Sequence, residues 1–119
     1  MKELRPRLPE EGVPPFPVKL NFYGALSHSW VFFVLNDETR FKILLLLMDG
    51  QPRSVRQLAR ALGRKFNGVS KQLAVLRLFN IVEVVTPEGA DGRSVWHRMP
   101  AAFRATPGVL DFGCCLVRL

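Results

Sequence analysis

"RSVRQLARALGRKFNGVSKQLAVLRLFN", residues 53–80, decides the fold. Ser54 suits a helix N-cap, Val55, Leu58, Ala59 and Leu62 then fall on one helical face, and Gly63 suits the left-handed residue that closes a helix. After "RKF" a second helix is predicted from about Asn67 to Phe79. At 100° per residue Val69, Leu73 and Leu76 stack on one side, and Val75 and Phe79 widen that stripe. Asn67, Ser70, Lys71 and Ala74 fall in the opposite sector. Two short amphipathic helices joined by a glycine-containing turn, with small polar and basic residues outward, make a helix-turn-helix.

The same stretch holds the net charge of the molecule. Between Asp49 and Glu83 stand Arg53, Arg56, Arg60, Arg64, Lys65, Lys71 and Arg77, and no acid. The whole chain has 17 basic and 10 acidic residues, so outside this segment the count is ten against ten and the formal charge of +7 belongs to it. A charge placed this way fits a surface that meets a polyanion; the plainer alternative is a solvated Arg-rich helix pair.

Downstream the period changes. "IVEVVTP" (81–87) is β-branched, "EGADGR" (88–93) contains an Asp-Gly turn signal, and "SVWHRM" (94–99) alternates apolar and polar, so a β-hairpin is predicted directly after the helix pair. Upstream, a helix from Ser27 carries Trp30, Phe33 and Val34 to Leu35. Asn36 or Asp37 then caps a second, over 37–49, whose Phe41, Ile43, Leu44, Leu45, Leu47 and Met48 reach nearly all the way round, as in a central, buried helix. Gly50 and Pro52 end it. The fold class is therefore α+β, mainly helical: a winged helix-turn-helix over residues 27–99, a Pro-rich arm over 1–26 with five of the nine prolines, and an apolar segment over 100–119 that packs on the domain or across a dimer interface.

With 119 residues and 48% hydrophobic content the chain suits one domain with its own core. The runs "WVFFVL" (30–35) and "ILLLLM" (43–48) are far short of the about 20 residues that span a bilayer. No apolar stretch follows the charges of "MKELRPRLPEEG", and two adjacent cysteines make no disulfide framework, so a cytoplasmic protein is expected. "PPFP" lacks the PxxP spacing of a ligand for aromatic grooves.

These segments resemble the arsenic-repressor-like (ArsR-type) family of small bacterial winged-helix transcription regulators. The resemblance runs from about Leu35 to Met99. It rests on "LNDETRFKILLLLMDG", similar to the family's Asp-x-Thr-Arg helix opening, and on "SVRQLARALG". It continues in "GVSKQLAVLRLFNIVEV", which resembles a Val-Ser-Arg/Lys-x-Leu-x-x-Leu pattern, and in "DGRSVWHRM", similar to the wing tip and return strand. The resemblance implies a homodimer that sets two recognition helices in successive major grooves of double-stranded DNA, a nucleoid-associated regulator of repressor type. The family's metal-sensing cysteines on the first helix of the motif have no counterpart in "SVRQLARAL". The arm and the ending "GVLDFGCCLVRL" also differ from its usual dimerising terminal helix.

On this frame phosphate contacts are expected from Arg53 or Arg56, Lys65 and Lys71, and base-edge contacts from Asn67, Ser70 and Lys71. Arg93, after Asp-Gly, is placed to enter a minor groove. Arg77 lies roughly 80° from the centre of the apolar stripe, where it pairs with a carboxylate or flanks the core rather than touching DNA. Asp37 and Arg40 are explained by an N-cap and a first-turn arginine without catalysis. His28 and His97 lack partners at metal-ligand spacing, and no phosphate loop, nucleophile elbow or carboxylate pair occurs, so no cofactor, small-molecule substrate or enzymatic activity is expected. Cys114 and Cys115 have two readings, a soft-metal or redox site and small hydrophobes buried beside Phe112 and Leu116; the second is preferred. The rival to DNA binding is a winged-helix module that recruits a protein through the arm and the C-terminal segment.

Overall fold

The computed structural model describes residues 28–90 and 92–119; the expected Pro-rich arm lies outside them. Helix α1 (His28–Leu35) is short and apolar, and buries Trp30, Val31 and Val34. Two residues later Asp37 accepts a hydrogen bond from the Arg40 amide at 2.9 Å and caps α2 (Glu38–Leu47), so of the two predicted caps the aspartate is the one used. The first-turn arginine does more than the sequence reading gave it. Its buried guanidinium donates to the carbonyls of Phe33 (2.7 Å) and Val34 (3.0 Å) and to Oε1 of Gln72 (2.8 Å), and it lies 4.7 Å from the centre of the Phe33 ring. Arg40 thus satisfies the last carbonyls of α1 and ties α1 and α2 to the recognition helix.

Helix α2 is less enclosed than its composition suggests. Ile43, Leu44 and Leu47 are buried, while Glu38, Lys42 and Leu45 are exposed on one sector. Gly50 after it has φ +79°, a left-handed conformation that favours glycine, and the Arg104 guanidinium lies over the place a Cβ would take.

A two-residue strand β1 (Arg53–Ser54), not foreseen in the sequence, leads into α3 (Val55–Leu62). Ser54 and Gln57 form a reciprocal capping box, and Gly63, at φ +64°, ends the helix as predicted. Helix α4 (Phe66–Leu78) buries Val69, Leu73, Val75 and Leu76 against α2 and α3. Asn80, at φ +60°, takes the left-handed position after it, with the Ile81 amide bonded to the Leu76 carbonyl.

The predicted hairpin is present but shorter. Strands β2 (Glu83–Val85) and β3 (Trp96–Arg98) pair antiparallel with Val84 opposite His97, and β1 adds to the other edge of β3 with Arg53 opposite His97. Ile81 and Val82, expected within the strand, are buried core residues instead. The apolar C-terminal segment is a 3-10 turn (Ala101–Arg104) followed by a second hairpin, β4 (Val109–Asp111) with β5 (Leu116–Arg118). Leu110 and Phe112 insert into the core. One contiguous core joins all of this, with Trp30, Phe33 and Phe79 in mutual ring contact at 5.4–5.8 Å. Each fully buried leucine or phenylalanine contributes about 1.5–3 kcal/mol.

Candidate nucleic-acid interface

Helices α3 and α4 hold each other through Leu58, Val69 and Leu73, all fully buried, and this packing turns the far side of α4 outward. Asn67 and Lys71 are exposed there and Ser70 is half-buried between them, so the expected base-reading trio shares one face. Lys65 and Arg56 are exposed on the turn and on α3. Arg60, one helical turn beyond Arg56, joins them; the sequence reading did not single it out, although its i+4 spacing from Arg56 puts both on one face. Arg56, Arg60, Lys65 and Lys71 have no carboxylate partner among the described residues.

Other cations are engaged. Arg53 donates to Asp49 at 2.5 Å and to the Leu46 carbonyl at 3.1 Å, which anchors it to the end of α2. Arg64 lies 3.8 Å from Glu38, whose carboxylate is bonded to Lys42 at 2.7 Å; that bond, with the charges of Lys42 and Arg64, lowers the pKa of Glu38. Arg93 is exposed in the loop between β2 and β3. Arg77 does not pair with a carboxylate. Its Nη1 lies 2.8 Å from Nε2 of the buried His97, and since a guanidinium only donates, the imidazole accepts through Nε2 and carries its proton on Nδ1. That Nδ1 is buried without a partner, and burial first, then the Arg77 charge, lower the His97 pKa to about 4. The pair joins the last turn of α4 to the central strand, fixing the recognition helix relative to the wing.

The first turn of α4 is bare. Its N-cap, Lys65, makes no side-chain cap, no acid stands in the turn, and Gly68 faces open space. A shallow depression beside it is lined by Thr39, Gly63, Arg64, Lys65, Gly68 and Gln72. Unpaired amides and the positive helix end at this place favour an anion.

Cys114 and Cys115 sit in the β4–β5 turn rather than in a strand, half-buried, with Sγ atoms 3.8 Å apart. Phe112 beside them is buried, whereas Leu116 is exposed. Burial and the Cys114 thiol raise the pKa of Cys115, which disfavours the thiolate that metal uptake and oxidation both need. Among the described residues no group of three or more His, Cys, Asp or Glu is placed to hold a metal, and no helix is long and apolar enough to cross a membrane.

A helix-turn-helix followed by a hairpin wing, set on α1 and α2, defines a winged-helix regulator fold of the ArsR type, and solved structures agree. Reduced HlyU from Vibrio cholerae superposes with a TM-score of 0.54 at 24% identity over 63% of this chain and 75% of that one. Rv0081 of M. tuberculosis gives 0.52 at 31% identity over 62% and 70%. An ArsR-like transcriptional regulator from Rhodococcus sp. RHA1 gives 0.50 at 34% identity over 60% and 62%. The chain belongs to the HVO_A0114 family, whose sequence profile matches residues 34–97, just over half its length. Among curated proteins none matches it.

Proposed function

We propose that this chain is a sequence-specific, double-stranded-DNA-binding transcriptional regulator, acting in the cytoplasm on the nucleoid as a homodimeric repressor and not as an enzyme. The observation that carries the reading is the outward face of α4, where Asn67, Ser70 and Lys71 stand together beside cations without carboxylate partners. Asparagine and lysine at that place match the donors and acceptors of base edges in a major groove. Arg56, Lys65, Lys71 in its second role and the bare first turn of α4 suit backbone phosphates on either side, and Arg93, exposed in the β2–β3 loop, suits the minor groove beyond the wing. Arg53, held by Asp49, serves to fix the α2–α3 connection. The Rhodococcus structure, an ArsR-like transcriptional regulator by its name, supports the same reading.

For the dimer, the support is apolar surface. Phe32 on α1 is 66% exposed, beside a depression lined by Ser29, Phe33, Leu35 and Asn36, and with the apolar walls of that depression it offers a surface that a second copy can cover. The test of the function is selection: the protein is titrated against fragments of its own upstream region. The reading expects one fragment to be bound tightly and protected over two half-sites about one helical turn apart. Equal, weak binding to every fragment overturns it, and if Leu116→Ser then abolishes capture of a protein partner, the interaction-module reading replaces it.

A further inference from the structure

Phe66 is out of place among its neighbours. It is the first residue of α4 and is 50% exposed, while Arg64, Lys65, Asn67 and Gly68 around it in sequence are all exposed and polar or bare. An exposed ring offers apolar surface to a partner, and a partner that meets this one has to tolerate a cationic surround. A second copy of this face is repelled by the same charges, and an ordinary apolar protein surface would have to desolvate Lys65 and Arg64. A DNA major groove satisfies both demands: it is polyanionic along its walls and apolar at one kind of spot, the 5-methyl group of thymine.

We infer that Phe66 is a specificity-determining residue that packs on thymine methyl groups in the operator, an inference that rests on the DNA-binding reading of the same face. On the helix Phe66 lies one turn before Ser70 and at the edge of the sector centred on Asn67, so the ring and the amide face adjacent base pairs. Gly68 bounds the other flank of the same sector, about 200° round the helix from Phe66. A Cβ at 68 meets nothing within 4 Å in the protein, so its absence serves no internal packing; it leaves the helix surface flat where the groove floor approaches.

The test uses the full chain and its footprinted operator, with each thymine replaced in turn by deoxyuridine, which removes the methyl group and nothing else. For the unaltered protein, one or two positions per half-site should lose about four-fold in affinity, the value of one buried methyl. Phe66→Ala should bind the thymine operator several-fold more weakly and no longer distinguish uridine at those positions, and Phe66→Leu should keep part of the discrimination. Helical circular dichroism of each variant checks folding. If the operator is bound and weakened by Lys71→Ala while no uridine position matters, or if the Phe66→Ala loss is the same on all sequences, the assignment to thymine is overturned and DNA binding stands. If no fragment is bound selectively, the underlying reading fails instead.

Discussion

At the scale of single residues, two buried polar groups decide how firmly the interface is held. Arg40 makes three side-chain hydrogen bonds across α1 and α4 from a buried position. Replacing it by alanine takes the guanidinium from the Val34 carbonyl and from Gln72 and leaves the Phe33 carbonyl only the Asn36 amide at 3.3 Å, so Arg40→Ala should lower the unfolding free energy by about 2–4 kcal/mol, seen as a lower urea midpoint, and Arg40→Lys should recover little of it. His97 is held neutral, with a pKa of about 4 against the ordinary 6.5. Below pH 6.5 the unfolded chain takes up a proton that the folded chain refuses. Stability is therefore full above pH 6.5 and falls as the pH drops toward 4, by up to about 3 kcal/mol. His97→Gln keeps an acceptor for Arg77, and urea titrations between pH 7 and 4.5 should show a flatter fall for it. Neither role was legible beforehand. Asp37 reads as a cap from its position alone, but a guanidinium that reaches back to the previous helix and an imidazole that meets Arg77 across twenty residues are tertiary facts without a local signal.

At the scale of elements the sequence was more informative, because helix ends are written locally. Ser54 with Gln57 and Gly63 bound α3 in the sequence and in the structure alike. The wing strands were legible only as regions and β1 not at all: β1 exists because β3 offers it an edge, and Ile81 and Val82 leave the strand because the core takes them first. Helix α2 misled because its apolar residues outnumber the neighbours available to cover them. Helix α4 is the element on which function and stability part. Gly68→Ala adds a better helix former into open space and should stabilise the fold by about 0.5–1 kcal/mol in urea denaturation. The same methyl crowds the surface proposed to meet DNA, so operator affinity should fall in a binding titration. A variant both more stable and tighter-binding contradicts that placement of α4.

At the scale of the whole molecule, a basic face balanced by a neutral remainder is an arrangement for binding, and one recognition helix alone reaches few bases. Pairing two protomers doubles the contact. Phe32→Glu puts a charge in the surface assigned to that pairing and should convert a dimer to a monomer by sedimentation, with a large loss of operator affinity; an unchanged mass places the dimer contact elsewhere. The central claim is that Arg56, Lys65 and Lys71 neutralise DNA phosphates, and it is tested most directly by the slope of log K against log salt concentration. Three contacts per protomer predict a slope of about −5 for a dimer, flattened by about one per protomer in Lys71→Ala. A slope near zero, or one that Lys71→Ala leaves unchanged, would contradict the account.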